Sequence, residues 1–340
     1  MNIRMALLTS AAAFAAASSP VFAADAIVAA EPEPVEYVRV CDAYGTGYFY
    51  IPGTETCLQI SGYVRFQVDA APNESGSSDW NAWTRAQVQF TSKSDTEYGP
   101  LTGVIVLRVD GNNQSDQDSK LDSAYIDIAG FRAGLFYSWW DDDLSGEPDT
   151  LSSYSTLHNS IRYQYENGDF YAGISVDELE DGAGRTNGTT TSNPVGIALG
   201  LGGKAGAFSY QIIGGYDTDT EDGAIRAMGF AEIGPGTLGV AGVWASGINS
   251  YYDESEWTVA AEYAIKATDK FKVTPMVQYF DHYKHNATDT DFADGDAWRV
   301  GLTLDYQIVD NFYAKATVDY TDADDFDDVT KGFFRLQRAF

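Results

Sequence analysis

The sequence predicts an all-β fold, a transmembrane antiparallel β-barrel of about sixteen strands. Three observations carry this expectation. Apolar and polar residues alternate with period two over many short segments, the second face of those segments is too polar for a packed core, and the first residues have the make-up of an export signal.

At the N-terminus, MNIRMALLTSAAAFAAASSPVFA carries one early positive charge, Arg4, then an apolar run and small residues at its end. Val21 and Ala23 stand where a signal peptidase reads, which places cleavage after Ala23. A buried helix of a cytosolic protein is the competing reading, and these flanks disfavour it. Residues 1–23 are therefore expected to be a signal peptide, 24–55 a periplasmic N-terminal segment and 56–340 the transmembrane barrel. The linker ADAIVAAEPEPVEY alternates Glu with Pro, and proline cannot donate to a sheet interior.

The 21 basic residues face 50 acidic ones, a formal net charge of −29 that argues against nucleic acid as a partner. Disorder is excluded by composition, since 44% of residues are hydrophobic and 14% aromatic. A spanning helix needs roughly 20 mainly apolar residues. The stretch 233–252 is uncharged, but Pro235 and several glycines divide it. The two cysteines, Cys41 and Cys57, would form a disulfide in an exported chain, closing a loop of about 15 residues for about 3 kcal/mol.

From Cys57 onward the alternation can be followed strand by strand. Leu58, Ile60, Val64, Phe66 and Val68 share one face while Gln59, Tyr63, Arg65, Gln67 and Asp69 share the other. Ala82, Ala86, Val88 and Phe90 oppose Arg85, Gln87 and Gln89, and Ile105, Leu107 and Val109 oppose Arg108 and Asp110. The same arithmetic recurs with Phe170, Ile174 and Val176, with Trp257, Val259 and Tyr263, with Trp298, Val300 and Leu302, and with Phe312, Ala316 and Val318. Short turns at 166–169, 234–236 and 267–270 interleave with longer polar loops at 111–119, 178–193, 282–295 and 321–329. Bacterial barrels keep short turns in the periplasm and long loops outside. On that register the strand ending at Trp139 is the fifth, and 139–155 is the third outer loop. It carries Asp141, Asp142, Asp143, Glu147 and Asp149 without a basic residue.

A soluble β-sandwich shares the alternation. Against it stand strands long enough to cross a bilayer at a tilt, aromatics near strand ends (Trp139, Trp140, Tyr251, Tyr252, Trp298 and Tyr320), and a second strand face too polar for a packed core.

Residues 35–66, VEYVRVCDAYGTGYFYIPGTETCLQISGYVRF, resemble the N-terminal signature of the alphaproteobacterial general porin family of rhizobia and brucellae. Both cysteines and the following GYVRF belong to the match. The terminal GFFRLQRAF, with Phe340 as an assembly signal, fits the same family, although Arg338 departs from the apolar residue expected there. The resemblance implies a sixteen-stranded homotrimeric, water-filled channel whose third outer loop folds into the lumen, embedded among outer-membrane lipids and lipopolysaccharide. It would pass small hydrophilic solutes and ions without a cofactor.

Arg65, Arg85 and Arg108 fall near the middle of three successive strands about 4.8 Å apart, as a basic ladder would. Loop carboxylates from Asp141, Asp142, Asp143, Glu147 and Asp149 would face that ladder and set a transverse field at a constriction. Two blander arrangements remain open: the arginines pair with Asp69 and Asp110 for stability, and the acidic run is a solvated surface loop. Arg132, Arg162, Arg299 and Lys315 are further lumen candidates. Acid in the remaining outer loops suits solubility and solute steering better than calcium binding, for which no loop has the ligand spacing. His158 and Ser160 share a strand face but have no evident oxyanion donor, so an enzyme is not expected. His282 and His285 have no partnered ligand set in sequence, so no metal site is expected. Two alternatives to a general diffusion channel stay in view: a saccharide-specific porin with Trp139, Trp140 and Tyr154 along the path, and a non-conducting structural or adhesin barrel.

Overall fold

The computed structural model describes residues 39–179 and 194–340. The expected signal peptide and the linker, together with most of the outer loop expected at 178–193, lie outside the described residues. Sixteen strands close into one antiparallel barrel. In chain order they are β1 (Cys57–Ala70), β2 (Trp80–Thr96), β3 (Gly99–Asn113), β4 (Asp116–Ile128), β5 (Phe131–Tyr137), β6 (Leu157–Asn167), β7 (Phe170–Glu178) and β8 (Val195–Ala205). There follow β9 (Phe208–Asp217), β10 (Asp222–Ile233), β11 (Gly236–Ala245), β12 (Trp257–Lys266), β13 (Phe271–Asp281), β14 (Ala297–Val309), β15 (Phe312–Ala323) and β16 (Val329–Ala339). Each strand pairs with its sequence neighbours, and β16 closes the ring on β1 through Gln337↔Arg65 and Arg335↔Gln67. Backbone bonds between Gly62 and Phe340 seal the seam. A closed ring leaves no open edge, which is what a strand-built wall needs in lipid.

The wall inverts the polarity of a soluble core. Ile60, Val64, Ile105, Ile174, Leu199, Ile225, Val259, Val300 and Val318 are exposed on one face. Gln67, Ser160, Arg162, Asp177, Arg226, Glu262, Gln278, Arg299 and Thr303 are buried on the other. Exposed apolar rows of this extent belong against lipid rather than water.

Several boundaries differ from the sequence expectation. The expected outer loop 111–119 is mostly strand, because the β3–β4 ladder continues to Asn113↔Asp116. The fifth strand ends at Tyr137, and Trp139–Asp141 turns into a 3-10 helix capped by the Ser138 hydroxyl. Trp139, Trp140, Tyr251 and Tyr252 do not form an interfacial belt. All four are buried in one apolar cluster inside the fold. Trp298 and Tyr320 do stand exposed at strand ends, as expected. A disulfide joins Cys41 and Cys57, with Cα atoms 6.0 Å apart. It fastens a short strand, Phe49–Tyr50, along the start of β1.

Candidate functional site

Between β5 and β6 the chain runs through residues 138–156, and it is bonded chiefly to strands far from its own. The Ser145 amide and hydroxyl both donate to Glu262 Oε1 at 2.6 Å, and the Gly146 amide donates to Glu262 Oε2 at 2.7 Å. The Glu147 amide donates to Thr303 and the Thr150 amide to Gln278. Arg299 reaches the Pro148 carbonyl and the Thr150 hydroxyl. The Glu147 carboxylate takes Lys315 and Arg335. These partners are out of phase with the exposed apolar rows of β12 to β16, so they stand on the opposite, buried face.

Arg226 of β10 holds the other end of the segment. It is fully buried and donates to the carbonyls of Trp139 (2.7 Å), Trp140 (3.0 Å) and Leu151 (3.3 Å), and to Gln211 Oε1 (3.2 Å). A buried cation is tolerable only when acceptors replace its water. Here the acceptors are mostly loop backbone, so the charge is stabilised only while the loop keeps its path.

Small residues make room for that path. A Cβ on Gly173 or Gly200 would come within 2.8 or 2.7 Å of the Trp139 ring, and one on Gly301 within 2.7 Å of Pro148. Leu144 passes similarly close over Gly239. A second segment, 246–256, braces the first: the Ser153 amide donates to the Tyr251 carbonyl and the Ser153 hydroxyl to the Ser250 carbonyl. Tyr251 itself donates to Asp177, and the Ser250 hydroxyl to Asp217.

Arg65, Arg85 and Arg108 stand on three adjacent strands, Arg65 level with Arg85 and Arg108 level with Gln87, and two of the three share carboxylates. Arg85 pairs with Asp110, and Arg108 with Asp110 and Asp122. Asp122 turns to that face through a bulge opposite Val106 and Leu107, which period-two counting cannot foresee. Arg65 instead donates to Gln337, and among the described residues no carboxylate lies within ion-pair distance of it. Arg65, Glu147, Lys315 and Arg335 line one cavity of about 980 Å³ that continues past Lys272 to the short-turn end. Asp141 accepts from Thr156 and Asp142 from Gln211, while Asp149 accepts from the Leu144 amide. Arg162 stacks 3.9 Å over Trp139, and Arg132 pairs with Asp127. Ser160 donates to Asp177, and His158 packs edge-on to Tyr251. Sequence reasoning missed Arg226, whose one signal is its phase between Ile225 and Ala227.

Residues 25–335 match the Porin subfamily. The chain belongs to this porin family. It is 66% identical to outer membrane protein IIIA of Rhizobium leguminosarum bv. viciae, over 98% of this chain and 93% of the relative. It is 32% identical to porin Omp2b of Brucella neotomae over the whole of both chains. In fold it is similar to the trimer form of OmpT, an outer membrane protein of Vibrio cholerae, at 14% identity and a TM-score of 0.65, covering 84% of this chain and all of that one. This porin is accordingly an outer-membrane channel for passive diffusion.

Two carboxyls of the porin's acidic segment are strongly perturbed. Enclosure by protein, with Asp149 beside it, pushes Asp143 up to about 7. Burial and the nearby Glu262 push Asp149 up to about 6, against the hydrogen bond from the Leu144 amide. Away from that segment the fold also gathers Glu256, Asp281 and His282, which sequence separation left unpartnered.

Proposed function

We propose that residues 138–156 are the constriction of a general diffusion porin, set across the lumen between an acidic loop and a partly basic wall. The observation that carries this is the bonding of the segment to buried-face groups on β10 and β12 to β16, strands opposite its own point of entry. The open path then runs beside β1 to β4, where Arg65, Arg85 and Arg108 stand, with Asp141, Asp142 and Asp143 on the facing loop. Opposed charge rows orient dipolar solutes and separate cation from anion routes, so passage depends on size, charge and hydration without a chemical step. Because Asp110 and Asp122 neutralise much of the wall, the loop carboxylates dominate and the channel prefers cations.

A saccharide track is less favoured. Trp139 and Trp140 are buried under the loop, which leaves only Tyr154 free to stack a sugar. We further infer a homotrimer, which the trimer form of OmpT supports, with small hydrophilic solutes and ions as its cargo. Replacing Asp141, Asp142 and Asp143 together by Asn and measuring reversal potential in a salt gradient tests the constriction. The expected result is a shift towards anions; an unchanged potential places the loop outside the path. Liposome swelling separates the channel from an occluded adhesin barrel.

A further inference from the structure

At the outer end of β12 and β13, three metal-ligating side chains from two connections come together on the exposed face of the barrel. Glu256 precedes β12, Asp281 ends β13, and His282 opens the segment that follows. The Glu256 amide donates to the Asp281 carbonyl at 3.2 Å, which ties the two backbones at the ladder's end. His282 then turns back with φ +53°, a conformation that swings its ring towards both carboxylates. Its Nδ1 is 2.5 Å from Asp281 Oδ2 and 3.6 Å from Glu256 Oε2, and one ligand atom from each residue falls within 4.8 Å of the others. None of the three takes part in the loop and wall network described above.

We propose that Glu256, Asp281 and His282 form a divalent-metal site of zinc class, open at its fourth position. Donor chemistry selects the metal: one imidazole with two carboxylates suits borderline zinc better than magnesium or calcium, which prefer all-oxygen shells. Spacing agrees. Zinc bonds of about 2.0–2.2 Å in a tetrahedron separate the ligand atoms by roughly 3.4 Å. The Glu256 to His282 distance already matches this, and a small rotation of Asp281 opens the other.

The surroundings supply support for the ligands. Asp281 is in phase with Val277 and Tyr279, so it projects outward, and Tyr279 Oη donates to it at 3.5 Å. Below it, the rings of Trp257, Tyr279 and Trp298 contact one another at 5.3 and 4.7 Å, forming a rigid aromatic step. A metal bound here joins the segment 246–256 to the segment 282–296 from outside the pore. The fourth position is left for water or another oxygen ligand.

The test uses the full mature protein, folded in detergent and stripped with a chelator, titrated with zinc chloride by calorimetry. One saturable site per chain is expected, with affinity at least tenfold weaker in His282→Ala and in Glu256→Gln, and unchanged in His285→Ala. Cupric ion on the same protein should show the electron-spin signature of a single coordinated imidazole nitrogen, absent in His282→Ala. Heat-modifiable migration on gels confirms that each variant keeps the barrel. Absence of saturable binding in the parent protein overturns the proposal, and so does His282→Ala binding zinc as the parent does.

Discussion

Arg226→Met is the most searching perturbation of the loop, because it removes a buried charge while nearly keeping its volume. The guanidinium satisfies three loop carbonyls, those of Trp139, Trp140 and Leu151, inside a site closed to water. Stranding a buried acceptor costs about 1–3 kcal/mol, so even the lower bound for three gives about 3 kcal/mol against the bound loop. With tenfold per 1.4 kcal/mol, the released population rises about a hundredfold. The barrel itself should survive, since β10 keeps its backbone ladders to β9 and β11. Planar-bilayer recordings should show larger conductance with frequent substate transitions, and liposome swelling should admit larger sugars. A folded Arg226→Met barrel with parental conductance, noise and exclusion limit would refute the reasoning.

Other perturbations act on the same frame. Gly200→Val sets new atoms against the Trp139 ring, where a Cβ alone would approach to 2.7 Å, so the loop should be displaced and sugar permeability should rise. Asp143 and Asp149, with pKa values about 7 and about 6, lose their charge as pH falls from 8 to 5. Cation preference should decline over that window, as read by reversal potential, and the decline should vanish in Asp143→Asn/Asp149→Asn. The sign for stability is opposite: a carboxyl with a raised folded pKa binds protons more tightly folded than unfolded. The loop is therefore held more firmly as pH falls through 7 towards 4, which protease protection can follow. Reduction of Cys41–Cys57 should cost about 3 kcal/mol of N-terminal anchoring, measured as faster proteolysis near residue 50 with conductance unchanged.

The wall was legible because lipid outside and polar contacts inside impose the same two-residue period on every strand; Arg65 and Phe66 already declare opposite faces. The strand ends were not. Residues 111–119 are polar on both faces, so no alternation marks the ladder that continues through them. Trp139, Trp140, Tyr251 and Tyr252 stand near strand ends, where an aromatic is equally suited to a lipid boundary or a packed loop. What decides for Trp139 is Gly173 and Gly200 beneath its ring, and for Tyr251 Gly196 and Gly215, on strands remote in sequence. The loop's partners were illegible for the same reason. Ser145 meets Glu262 across 117 residues and Glu147 meets Arg335 across 188, separations over which composition carries no signal. Acidity marked the segment; the barrel's closure chose its neighbours.

Arg226 and Glu262 are opposite buried charges on the same face, yet they clamp the loop without pairing with each other. The cation takes carbonyl oxygens at one stretch and the anion takes amide hydrogens at another, so each charge answers the direction of a peptide group. Peptide direction is fixed by the course of the chain, whereas an ion pair is symmetric under exchange of its partners. The swap Arg226→Glu/Glu262→Arg therefore sets a carboxylate against the Trp139 carbonyl and a guanidinium against the Ser145 amide. Both contacts become repulsive, and the double variant should be at least as leaky to large sugars as either single replacement. Restoration of parental conductance by the swap would mean that the two residues act as a coupled pair, and the backbone clamp would have to be abandoned.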